Sequence, residues 1–149
     1  MIELQNTKVV AAIPPAAIKD NADFSSRVID LRDHPGASYL EFHGLLGATD
    51  IEMAVLKVME SDTKTDATTL GGTPTLVKDA TTKPGASDDN KTFVIGIDLT
   101  KTRQRYLQLQ AKAGNGTSGT FLAATAVIHG MTVAGDGATP RGVLFADYA

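Results

Sequence analysis

Two short stretches constrain this chain more than any others: TFVIGIDL, Thr92 to Leu99, and RYLQLQA, Arg105 to Ala111. In the first, Phe93, Ile95, Ile97 and Leu99 share one side. In the second, Leu107, Leu109 and Ala111 alternate against Tyr106, Gln108 and Gln110. A period of two gathers the apolar residues on one face of an extended strand, an interval that no helix shares. A strand with one apolar face must bury it against another layer, so the alternation predicts half-buried antiparallel strands. Thr100-Lys101-Thr102-Arg103 reads as a hairpin connection between the two.

The stretch Gly47 to Glu60, GATDIEMAVLKVME, tests that reading, because Thr49 and Glu52 have the spacing of a helix capping box. On a helix, Glu52 would fall among Ile51, Val55 and Met59 and spoil the apolar stripe. With period two, Ile51, Met53, Val55 and Met59 share one face, interrupted by Lys57, and Ala54, Leu56 and Val58 share the other. The stretch therefore reads as a strand covered on much of both faces.

The remaining chain extends the pattern. Lys8 to Ile13 is a short apolar run ended by Pro14-Pro15, an edge strand or docked arm. Phe24 to Leu31 and Tyr39 to Leu46 read as two paired strands around the turn cluster Asp33-His34-Pro35-Gly36. Ser61 to Ser87 is a polar surface excursion with one small strand near Thr75 to Val77. Thr120 to His129 is a further strand, and Gly130 to Ala149 an extended tail with a Val143-Leu144-Phe145 patch. The expected fold is an all-β antiparallel sandwich, jelly-roll-like, with extended terminal arms: residues 1–23 as an amino-terminal arm with a short edge strand, 24–130 as the sandwich, 131–149 as a carboxy-terminal tail.

Composition removes several chemistries. With no cysteine there is no disulfide, thiolate metal site or cysteine nucleophile. A net charge of -3, spread without a basic stripe, gives no reason to expect direct nucleic-acid binding. No run of 18 apolar residues and no basic leader is present, so we expect no membrane partner and synthesis in a cytoplasm.

The motifs have plain alternatives. Gly114 to Gly119, GNGTSG, matches the glycine spacing of a dinucleotide loop, but a β-rich run follows where a helix is required, so it reads as a turn. A metal site would need Asp30, Asp33, His34 and His43 to converge; a turn histidine and a strand histidine with ordinary partners are the simpler reading. Asp88-Asp89-Asn90 reads as a turn, not a calcium loop, and Glu41 with Glu52 is the only strand-borne carboxylate pair worth weighing for glycoside cleavage. No G-x-S-x-G elbow exists. We therefore expect no catalytic residues, no metal ligands and no cofactor.

The succession IDLRDHPGASYLEFHGLLGATDIEMAVLKVMESD, a threonine-rich loop, then DDNKTFVIGIDLTKTRQRYLQLQAKAGNGTSGTFLAATAVIHG resembles the capsid decoration, or cement, proteins of tailed double-stranded DNA bacteriophages, over roughly Lys8 to Gly130. Proteins of that family are commonly jelly-roll or related β domains. They sit as trimers on the outer capsid and reinforce contacts between hexamers of the major capsid protein. The resemblance implies a virion structural protein, made in a bacterial cytoplasm, whose partners are the major capsid protein and its own copies in a homotrimer. Under that reading, Ile2, Leu4, Val9 and Val10 near one end and Val143, Leu144 and Phe145 near the other are the expected subunit or capsid contacts. The alternative is a lectin-like, carbohydrate-binding jelly roll, which the absence of tryptophan disfavours.

Overall fold

The computed structural model describes residues 7–130. They form eight strands: β1 (Lys8–Ile13), β2 (Ile29–Asp30), β3 (Tyr39–Thr49), β4 (Val55–Ser61), β5 (Thr75–Asp79), β6 (Thr92–Asp98), β7 (Tyr106–Lys112) and β8 (Thr120–His129), with short 3-10 turns at Leu31–Asp33 and Ala86–Asp88. Two antiparallel four-stranded sheets result, ordered β1-β8-β3-β6 and β2-β7-β4-β5. The fold is the all-β sandwich that the alternation predicts.

The core lies between the sheets. From the first sheet come Ile13, Leu40, Phe42, Ile95, Ile97, Leu122, Ala126 and Ile128; from the second, Leu56, Val58, Leu107, Leu109 and Ala111. Leu40, Phe42 and Leu46 alternate along β3 with outward Tyr39, His43 and Leu45. The small residue Gly44 lets the layer close: the Phe93 ring of β6 lies across it, where any Cβ would collide. Truncating a fully buried side chain such as Phe42 to alanine costs about 3–5 kcal/mol in comparable cores.

Three local expectations need correction. Gly47 to Glu60 is not one strand: Gly47–Thr49 finishes β3, Asp50–Ala54 crosses between the sheets, and β4 begins at Val55. Ile51 is consequently exposed while Met53 is buried, its amide held by the Pro84 carbonyl. Within β4 the inward residues are Leu56 and Val58.

Phe24 to Leu31 does not pair with Tyr39 to Leu46. Only Ile29–Asp30 joins a ladder, with β7, while β3 lies in the other sheet, so the Asp33–Gly36 turn is a crossover. Likewise β6 pairs with β3, and β7 with β2 and β4, which makes Thr100–Arg103 a crossover and not a hairpin. Both errors share one physical cause. Two strands that each offer one apolar face can pack face to face across a core as readily as edge to edge, and periodicity does not separate the two.

Candidate interaction face

The outward side of the β1-β8-β3-β6 sheet is built by the same alternation that fills the core. Register places Leu45 between Thr92 and Ala123, His43 between Val94 and Thr125, and Glu41 between Gly96 and Val127, with Val9 beyond Val127 on β1. Leu45, Val94, Phe121, Tyr39 and Val9 are 56%, 55%, 41%, 39% and 37% exposed, so the face is a broad apolar one on which Glu41 and Asp98 are the acidic side chains. Among the described residues no segment covers this apolar area, and large apolar patches of that kind are uncommon on isolated domains.

At its centre, Glu41 Oε2 lies 3.1 Å from His43 Nε2 and 3.2 Å from His129 Nε2. An ionised carboxylate only accepts, so each Nε2 donates its proton; Thr7 Oγ1 lies 3.4 Å from His129 Nδ1. The hydrogen bond from His43, with a smaller one from His129, holds the Glu41 carboxyl below its ordinary range against the opposing effect of burial. Strand geometry explains the cluster: Glu41 and His43 are two apart on β3, and His129 faces Tyr39 across β8. Nothing in the sequence linked His129 to this pair, because the cross-strand register alone supplies it.

The other expected constellations fall apart. Asp30 is bound by Arg105, with Nε–Oδ1 3.0 Å and Nη2–Oδ2 2.6 Å, and also accepts the Arg32 amide. The Arg105 guanidinium keeps its carboxyl below the usual range. His34 is buried in the crossover, where desolvation pushes its pKa down, and His43 lies on the outward face of the first sheet, so the four proposed ligands do not meet. Among the described residues, no group of three or more histidine, aspartate or glutamate side chains is arranged to hold a metal ion. Eight residue steps along β3 separate Glu41 from Thr49, roughly 26 Å at about 3.3 Å per residue, which puts Glu52 beyond any shared glycosidic bond. Asp88 bonds the Gly85 amide and Lys91, and Asp89 accepts the Thr49 amide at 2.7 Å.

The GNGTSG loop leads into β8, as a turn should. Its amides are nevertheless used for an anion, and the anion is internal: Asp50 Oδ2 accepts from Thr117 N at 2.6 Å and Ser118 N at 2.5 Å, and Asp20 Oδ1 from Gly116 N at 2.8 Å. The Ser118, Gly119 and Thr117 amides hold the Asp50 carboxyl down to about 2.

Of the expected contact residues, Val9 faces outward at the rim of the apolar face, and Val10 points inward against the core. Ile2, Leu4, Val143, Leu144 and Phe145 lie outside the described residues. In the larger part of the face, Tyr39, Val94 and Phe121 hold the off-phase positions of amphipathic strands; Leu45, which its apolar character groups with Leu40 and Phe42, instead points outward with Tyr39 and His43. Comparison with family models, curated proteins and solved structures finds no match to the chain.

Proposed function

We propose that this chain is a virion structural protein that binds the outer surface of an icosahedral phage capsid through the bare face of the β1-β8-β3-β6 sheet, stabilising contacts between capsomers of the major capsid protein as a homotrimer. The observation that carries this reading is that face: Leu45 on the inner strand β3 and Val94 on the edge strand β6 stand more than half exposed, flanked by Phe121, Tyr39 and Val9, with little charge to keep a partner away. A surface that works by adhesion needs shape and apolar area, and repetition of copies multiplies modest single contacts. In this reading the chain is not an enzyme and uses no cofactor. The strand order supports its jelly-roll form, since β1 pairs with β8, β2 with β7, β3 with β6 and β4 with β5, as in one long hairpin folded over on itself.

The test is occupancy on expanded capsids. Val9→Lys with Leu45→Lys places two charges on the face at exposed positions, and we expect occupancy to fall by on the order of tenfold or more while the fold persists. Unchanged occupancy removes the face from the account. The arm is tested separately by deleting residues 1–6; a deletion through Ile13 would be uninformative because Ala12 and Ile13 are core residues of β1.

A second reading has one observation in its favour. A cleft of about 590 Å3 on the other sheet is lined by Gln108, Gln110, Ser25, Asp23 and Lys57, with Phe24 beside them, a polar lining that a sugar could use. Binding on a glycan array that Gln110→Ala abolishes would favour the lectin-like module.

A further inference from the structure

The four edge strands of the sandwich are not alike. β1 carries Lys8, a register break between Ala11 and Ile13, and Pro14-Pro15 immediately after it. β2 is two residues long, and the amide of the residue before it, Val28, is taken by the Ala67 carbonyl. β5 carries Lys78 and Asp79, faces a register break at Val58/Met59, and follows Pro74. Each of these is a device that discourages pairing with another chain. β6 has the least: seven residues pair with β3 without a break, TFVIGID contains no lysine and no proline, and its one charge, Asp98, stands at the end of the strand.

Register shows which β6 groups remain open. The bonds Leu46 N to Lys91 O, 3.0 Å, and Leu99 N to Ser38 O, 3.0 Å, close the two ends of the β3–β6 ladder. Antiparallel pairs alternate between bonded and non-bonded, so the backbone groups of Phe93, Ile95 and Ile97 turn toward β3. Those of Thr92, Val94, Gly96 and Asp98 turn away, giving eight donors and acceptors along the free edge. Among the described residues one of the eight is engaged: the Asp98 carbonyl accepts Arg103 Nε at 3.2 Å and keeps a second lone pair. Alongside the edge runs a cleft of about 210 Å3 with an apolar floor of Leu56, Ala80, Phe93 and Ile95.

We propose that β6 of one copy pairs antiparallel with β6 of a second copy across a twofold axis at Ile95, joining two four-stranded sheets into one of eight; this contact is distinct from the threefold one of the proposed homotrimer and would link copies of neighbouring trimers. The register follows from the open groups. Centring on Ile95 sets Val94 opposite the partner's Gly96 and Thr92 opposite the partner's Asp98, so every outward residue meets another outward residue. Centring on Val94 or Gly96 instead carries one outward residue past the strand end. In the chosen register no like charges meet, Phe93 faces the partner's Ile97 on the core side, and the contact is self-complementary as a closed dimer requires. A partner strand there also covers the cleft.

The chain contains no cysteine, which makes the register directly readable. Ile95→Cys places one thiol opposite its twofold mate in a non-bonded pair, where Cα atoms approach to about 4.5 Å and a disulfide fits. We expect a covalent dimer on a non-reducing denaturing gel after mild oxidation, and much less from Val94→Cys, whose counterpart is Gly96. Val94→Pro removes an outward amide but none that bonds β3, so it should keep the far-ultraviolet circular dichroism while weakening self-association by on the order of tenfold in sedimentation velocity. Unchanged assembly by Val94→Pro, or a native chain that stays monomeric at every concentration, overturns the proposal. A native monomer that dimerises only when residues 131–149 are removed overturns it in favour of the chain's own carboxy-terminal segment on that edge. A β6 dimer that fails to occupy capsids would keep this pairing and remove the capsid reading, so the two fail separately.

Discussion

The two outer faces of the sandwich invert the usual distribution of polarity. On the β2-β7-β4-β5 side, Gln108 points away from the core and yet is 4% exposed; on the β1-β8-β3-β6 side, Leu45 also points away from the core and is 56% exposed. The difference is made outside the strands. Segments following β1 and β4 fold over β7 and are tied to each other by the Val28 amide on the Ala67 carbonyl. Gln108 Nε2 then donates to the Ser26 carbonyl at 3.0 Å and the Thr68 carbonyl at 2.7 Å. No described segment does the same for the other face. A buried amide and an exposed leucine at equivalent positions show that strand phase decides which way a side chain points, while the connections decide whether it meets water or protein.

The largest effect should come from breaking the covered face. Gln108→Leu removes the bonds to both carbonyls and the one that Gln108 Oε1 accepts from Gln110 Nε2, leaving the buried Ser26 carbonyl unpaired and the part-buried Thr68 carbonyl without its side-chain donor. We expect a loss of about 2–3 kcal/mol, read as a lower urea midpoint at unchanged slope. Leu45→Lys, the matching change on the bare face, should move stability by no more than about 0.5 kcal/mol. Equal losses in the two variants would break the comparison, since they would mean that the bare face is covered as well.

A smaller effect is expected where the covered face is fastened at its edge. Asp30 on β2 is held by Arg105, whose guanidinium also lies 4.7 Å from the Tyr106 ring centre, and Lys64 lies 5.3 Å from that ring. Asp30→Asn keeps the shape and removes the charge, and we expect about 1–2 kcal/mol of destabilisation at neutral pH. Because the Asp30 carboxyl is depressed below its ordinary 3.8, its contribution is present above that value and fades as pH falls through the folded-state value. Native and variant melting temperatures should therefore converge in acid. A gap that persisted at low pH would place the effect in packing and not in the charge.

How much of this was legible in the sequence follows from the same division. Thr92–Asp98, Tyr106–Lys112, Thr120–His129 and Lys8–Ile13 were readable because each depends only on its own alternation and its own breakers. The stretch Phe24 to Leu31 keeps only Ile29–Asp30 as strand because the residues before them are held by scattered bonds, Phe24 N to the Ala111 carbonyl, the Ser26 carbonyl to the Gln108 side chain and Arg27 N to the Ala12 carbonyl, and not by a continuous ladder. The bare face needed sheet order, since Val94, Leu45 and Phe121 become neighbours only when β6, β3 and β8 adjoin. Asp50 in the GNGTSG loop needed a contact between residues more than 60 apart in the chain, which no local pattern encodes.

The smallest effect sharpens the comparison from the bare side. Glu41 and its two histidines sit on a face open to water, with side chains 30% to 43% exposed, so their mutual attraction is well screened. The carboxyl is nonetheless held below its ordinary 4.5, first by His43 and then by His129. A depressed carboxyl stabilises the fold above its unfolded value and loses that contribution as pH falls through the folded one. Glu41→Gln should thus cost only a few tenths of a kcal/mol near neutrality, and nothing once pH is well below 4.5. Paired thermal melts of native chain and variant across that window measure it. A cost of the size expected at Gln108 would mean that the cluster is shielded from water, and that the face carrying it is covered by part of the molecule or by a second copy.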